Sequence, residues 1–213
     1  MVVSNRYARL MFGHGALERQ RVDGSYEVYG ATTERDDDGP DHLDEREIAL
    51  LVGVFQFHLA TVTAGGHPYI QYRSGPRGFL HHLGDNTIGF ADFHGNAQFV
   101  SVGNIDDNGR IAMFVADYPR KIRLKLFGRA RVVDAADDPD LLERLMTVGD
   151  SRIAARAERS IIITIEAFDW NCSRSLVPQY DRDYVRDLNQ AHAAETAELR
   201  SRIADLERQI TES

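Results

Sequence analysis

The sequence predicts a mainly β, α+β fold: an antiparallel barrel with a few helices and a coiled-coil-like helix at the C-terminal end. Three observations predict it. Segments that alternate apolar and polar residues recur through the middle of the chain, one pair of them joined by Gly65-Gly66. Helical patterns are few and do not alternate regularly with the strands, which argues against a doubly wound parallel sheet. Beyond Tyr184 the apolar spacing changes from two to three and four. A chain of 213 residues can bury one main core and carry an appendage.

Residues 1 to 33 read as an irregular arm with a short helix, and "ERDDDGPDHLDERE" (Glu34 to Glu47) as an acidic, solvated connector. The arm and connector make up residues 1–44, the barrel domain residues 45–180 and the helical tail residues 181–213. A short helix is expected over Glu45 to Val52. "QFHLATVTAGGHPYIQYRSG" then reads as a hairpin, and "NTIGFAD", "GRIAMFVADY", "IRLKLFGRARVVD" and "RSIIITIEAFDW" as further strands, giving at least six. Between the last two, "DDPDLLERLMTVG" has Asp138 at an N-cap position and Pro139 at the first helical position, so one helix is inserted there. In the tail, Val185, Asn189, His192 and Thr196 form a polar early seam, and Leu199, Ile203, Leu206 and Ile210 continue it as an aliphatic one. This spacing suits paired helices or a single amphipathic helix lying on its own barrel.

Composition excludes several classes. With 43% hydrophobic and 27% charged residues and no apolar run near the roughly 18 residues of a membrane span, the chain reads as a soluble, non-membrane protein. No secretory signal pattern opens it, and cytoplasm is the expected location. A net charge of −8 opposes nucleic-acid binding, so any anion site must be a local basic patch. The single cysteine, Cys172, forms no internal disulfide and no thiolate zinc pair. Neighbouring histidines such as His81 and His82 point to opposite faces of a strand, and no metal site is expected. No Walker-type glycine loop or serine-hydrolase elbow is present either.

Three stretches carry candidate chemistry. "FADFHGNAQFVSVGNI" (Phe90 to Ile105) packs Gly, Asn, Gln and Ser among apolar residues where a strand hands over to a helix, as either a ligand-holding turn or an ordinary loop and cap, which Asp, Asn and Gly suit. "IRLKLFGRARVV" places Arg123, Lys125, Arg129 and Arg131 on one strand face, as either an anion-binding or a solvated surface. "YRSG" ends the hairpin with a guanidinium able to fork two hydrogen bonds onto a phosphate or ring carbonyl. The Trp170-Asn171-Cys172 turn either places its indole near a bound cofactor or anchors the core.

The order "ATVTAGGHPYIQ", "GPRGFL", "FADFHGN", "SVGNIDDNGRIAMFVADY", "RLKLFGRARVV", "WNC" resembles the pyridoxamine 5′-phosphate oxidase-like superfamily, most closely its flavin-nucleotide-binding branch, over about residues 45 to 180. The resemblance implies a six-stranded split β-barrel, a homodimer, and flavin mononucleotide (FMN) held in grooves between subunits. It implies that Gln71, Tyr72, Arg73, Ser74 and Gly75 lie along the flavin ring. Asp92, Gly95, Asn96 and Gln98 then fall at the strand-to-helix turn that takes the phosphate end. Arg123 and Lys125 fall on the basic strand. The chain departs from the vitamin B6 oxidases, which have a Ser-Arg-Lys cluster where this one has "HGNAQ", and their substrate is not expected here.

Two classes of function follow: an FMN-dependent oxidoreductase using a small-molecule electron donor or acceptor, or a carrier or sensor that binds flavin, haem or a deazaflavin without catalysis.

Overall fold

The computed structural model describes residues 3–171 and 174–211; Cys172 lies outside them. It falls into two units, Met1–Asp117 with Ile122–Ser175, and Tyr118–Lys121 with Leu176–Ser213.

In the first unit the arm forms α1 (Asn5–Met11), α2 (His14–Asp23) and a 3-10 turn (Gly30–Glu34), more helix than expected. Next come α3 (Glu45–Gly53) and the strands β1 (Gln56–Val62), β2 (Pro68–Ser74), β3 (His81–Gly84) and β4 (Thr87–Phe93). After α4 (Val100–Asn108) come β5 (Arg110–Asp117) and β6 (Ile122–Asp134). The unit ends with α5 (Pro139–Leu145), the two-residue strands β7 (Thr147–Val148) and β8 (Ser151–Arg152), and the long β9 (Ala157–Trp170). As the sequence predicts, the Asp138 side chain caps α5 by accepting from Leu141 N–H, and Pro139 opens the helix.

Seven strands form one antiparallel sheet in the order β2-β1-β5-β6-β9-β4-β3. The fold is thus mainly β with α+β character. The strand beyond the expected six is β3, four residues with no alternation to announce it. The sheet rolls up: Phe57 of β1 meets Phe90 of β4 edge to face at 5.2 Å, although three strands separate them in the sheet. Phe57, Leu59, Ile88, Met113, Leu124, Leu126, Ile161 and Ile163 fill the interior of this barrel. A smaller cluster, Ala91, Ile162, Leu145 and Met146, seats α5 on the outer face of β4 and β9.

A bulge in β9 shapes one side. Phe127 pairs with Ala167 and Gly128 with Ile165, leaving Glu166 over, and its carboxylate accepts from Arg129 and Arg6. The acidic connector is not simply solvated. The Asp41 carboxylate accepts from Phe168 N–H and from the Ser4 hydroxyl, and Leu43 joins the core. Net acidity hid this, because one carboxylate of the run finds the backbone donors beside the bulge.

The second unit is dominated by α6 (Arg182–Thr211), a 30-residue helix with no buried residue.

Candidate functional site

Strand pleat decides which residues of β2 face inward. Tyr69, Gln71 and Arg73 are half-buried while Ile70, Tyr72 and Ser74 are exposed, the period of two expected of a strand. The three inward side chains line a cavity of about 210 Å³, closed by Asp92 and Phe93 of β4, the loop His94 to Phe99, the first turn of α4, and Glu158 and Arg159 of β9.

A charge cluster forms its floor. Asp92 is buried, and its Oδ1 accepts from Arg73 at 2.8 Å while Oδ2 faces Arg159 at 3.5 Å. Two cations thus share one carboxylate, and Arg159 also lies 3.6 Å from the carboxylates of Asp134 and Glu158. The Arg73 Nε is buried with no hydrogen-bond partner, a donor whose desolvation is uncompensated within the protein. Arg159 also lies over the Phe99 ring at 5.0 Å, fixing the guanidinium plane. Beside them Tyr69 donates to Gln71 Oε1 at 2.7 Å, which commits the carbonyl of that amide and leaves its NH₂ as a donor.

The wall opposite is strained. Ala97 and Phe99 adopt left-handed backbone, φ 58° and 54°, where non-glycine residues cost roughly 1 to 3 kcal/mol each. Asn96 braces the turn by accepting from Gln98 N–H. Phe99 stands at the N-cap of α4 with no side-chain cap, so the first-turn N–H groups have no capping side chain, and Val100, Ser101 and Val102 of that turn line the cavity. Asn104 anchors this helix to β1 through Thr61 Oγ1.

Of the residues proposed from sequence, Gln71, Arg73, Asp92, Gly95, Asn96 and Gln98 come together here. The others lie elsewhere. Tyr72 points outward, donating to Gln56 and standing edge-on to His58. Ser74 shares its face. Gly75 is explained by packing, since a Cβ there would meet the Phe79 ring at 2.6 Å. Arg123 and Lys125 sit on β6, away from the cavity lining. Lys125 is engaged by Asp169 and the Tyr7 hydroxyl, both at 2.9 Å. Burial pushes its ammonium down, but those two partners outweigh it and hold the pKa above the ordinary lysine value. Trp170 donates to the buried Glu47, and Arg46 stacks on its ring at 4.0 Å, so the indole pins α3 to β9 and takes no part in the cavity. Tyr69 and Arg159 were missed. Tyr69 follows from the same alternation as Arg73, whereas Arg159 enters only because β9 pairs with β4 in a register that sets it opposite Asp92.

The family profile of pyridoxamine 5′-phosphate oxidase matches residues 43–172, more than half of the chain. The chain belongs to the pyridoxamine 5′-phosphate oxidase family. Its cavity lies within the matched residues, as does every strand of the seven-stranded sheet. Among solved structures this family member is similar to HupZ of Group A Streptococcus, with 19% identity over 65% of this chain and 100% of that one and a TM-score of 0.48. It is similar also to an FMN-binding protein of Syntrophomonas wolfei, with 13% identity over 59% of this chain and 83% of that one and a TM-score of 0.44. A third is General Stress Protein 26 of Bacillus anthracis, with 14% identity over 59% and 91% and a TM-score of 0.42. No curated protein sequence matches the chain. Membership rests on the match over residues 43–172.

Proposed function

We propose that this protein is an FMN-dependent oxidoreductase of a small molecule, and that the cavity between β2, β4 and α4 takes the phosphate-bearing end of the flavin. The observation that carries the reading is the buried, unpartnered Nε of Arg73 beside the Asp92–Arg159 pair. A phosphate oxygen is the acceptor such a donor lacks. The donor set fits in other respects. The uncapped first turn of α4 favours an anion, and the Gln71 amide suits a ribityl hydroxyl or ring carbonyl. At about 210 Å³ the cavity is smaller than the roughly 300 to 1,000 Å³ of sites that enclose a whole ligand, so it suits one end of the cofactor.

When bound, the flavin would supply the electron-transfer chemistry that the side chains lack. The chain's own part is to bind and orient. Arg73 and Arg159 would hold negative charge, and Asp92 fixes both guanidinium groups. The ring is proposed to lie beyond the cavity against a second subunit of a homodimer, as the resemblance implies. There the outward Tyr72 and Ser74, and Arg123 and Lys125 of β6, remain proposed contacts.

The test compares FMN with riboflavin by fluorescence titration. Losing charge-assisted hydrogen bonds from two guanidinium groups should weaken riboflavin by about a hundredfold or more relative to FMN. Equal affinities would remove the phosphate from this site. Bound flavin that no reduced nicotinamide or other small donor can bleach under anaerobic conditions would identify a carrier instead of an enzyme.

A further inference from the structure

The tail helix α6 presents an exposed aliphatic ridge: Leu199, Ile203, Leu206 and Ile210 are 53%, 54%, 49% and 76% exposed. We propose that this ridge docks against the same ridge of a second copy as a parallel, in-register, two-stranded coiled coil. The proposal is independent of the flavin site.

Heptad assignment follows from the spacing. The a positions are Asn189, Thr196, Ile203 and Ile210; the d positions are Val185, His192, Leu199 and Leu206. Isoleucine at a with leucine at d is the combination that packs best in parallel dimers, and a single asparagine at an a position fixes register and dimeric state. The flanking charges agree. In a parallel pair each g residue faces the e residue five positions later on the partner helix, which sets Glu195 against Arg200 and Arg202 against Glu207. Both contacts are attractive, and symmetry makes each occur twice.

Each antiparallel register loses charge matching, layer matching or length of overlap. Aligning Ile203 with Leu199 places Arg200 against Arg200 and Arg202 against Arg202. Shifting the helices one way to match the charges sets Ile203 against His192 and Leu206 against Asn189, burying polar groups against aliphatic ones; shifting them the other way sets Ile203 against Leu206 and Arg200 against Glu207, but overlaps the helices only from about residue 198 on and leaves the layers from Val185 to Thr196 unpaired. Only the parallel, in-register pair keeps aliphatic layers with aliphatic and polar layers with polar along the whole length of α6. At about 1.5 Å per residue the helix is roughly 45 Å long, enough for four heptads.

Disulfide trapping in the full-length protein tests the proposal. In a Cys172→Ser background, Asn189→Cys places a thiol at an a position, and Ser201→Cys places one at an outward f position as a control. Circular dichroism confirms that both variants remain folded. Mild oxidation should cross-link Asn189→Cys about tenfold faster than Ser201→Cys, because only the a position brings the two Cα atoms within disulfide range. Adding Glu207→Arg should slow that cross-link, and adding Arg202→Glu as well should restore it. Failure of Asn189→Cys to cross-link, equal rates at the two positions, or no response to the charge changes would each overturn the parallel pair.

Discussion

The Arg73 guanidinium lies 2.8 Å from the Asp92 carboxylate, although four strands stand between β2 and β4 in the sheet. Their meeting closes the barrel across its open side, and it does so at the cavity. The floor of the candidate cavity and a structural latch therefore share one carboxylate.

Removing that carboxylate should cost stability as well as ligand. Asp92→Ala leaves two largely buried guanidinium groups without their common partner. Breaking such a cluster is expected to cost about 3 kcal/mol, roughly a 10 °C fall in thermal midpoint for a chain of this size. An unchanged melting curve would show that the latch contributes nothing.

His81 gives the fold an acid-sensitive contribution. Burial, and then the nearby Arg144, hold its imidazole below the ordinary histidine pKa, against a smaller opposing backbone contact with Leu145. The unfolded chain takes up the proton more readily than the folded one, so this contribution is complete above about pH 6.5 and is lost as pH falls below it. Denaturant titrations of the wild type should weaken between about pH 7 and 5. His81→Gln should flatten that segment, and an identical slope in the variant would place the acid sensitivity elsewhere.

Gly128 sits where β6 faces the bulge. A Cβ there would approach the Thr164 carbonyl oxygen, a backbone atom, to 2.1 Å. Gly128→Ala must part the two longest strands locally and should destabilise by about 2 kcal/mol. A neutral substitution in chemical denaturation would mean that the ladder yields without cost.

Ending the chain at Asp183 should leave the barrel intact, since α6 buries no residue. Stability of the truncated protein should stay within about 0.5 kcal/mol of the full chain. A truncated chain that fails to refold would show that the tail completes the core.

Much of this was legible in the sequence, for reasons that particular residues make plain. The hairpin about Gly65-Gly66, the cap and proline of α5 and the alternation of β6 are local signals, and each is obeyed locally. "FADFHGNAQ" likewise marked the cavity wall, because a strand-to-helix turn needs those small and polar residues. What could not be read is what the barrel brings together from afar. Arg159 belongs to the cavity through the register of β9 on β4. The basic face of β6 is taken up partly by α1, whose Tyr7 covers Lys125 from 118 residues away. Trp170 took its place from Glu47 on α3, a partner that no spacing announces.

The central claim is that Arg73 holds the phosphate of FMN, and flavin titration of Arg73→Met measures it most directly. Methionine preserves much of the side chain's length and packing while removing every donor. The account predicts tight binding of FMN by the wild type and a loss of about a hundredfold or more in the variant, with riboflavin affinity little changed. Equal FMN affinity in the two proteins, with the variant shown to be folded, would contradict it.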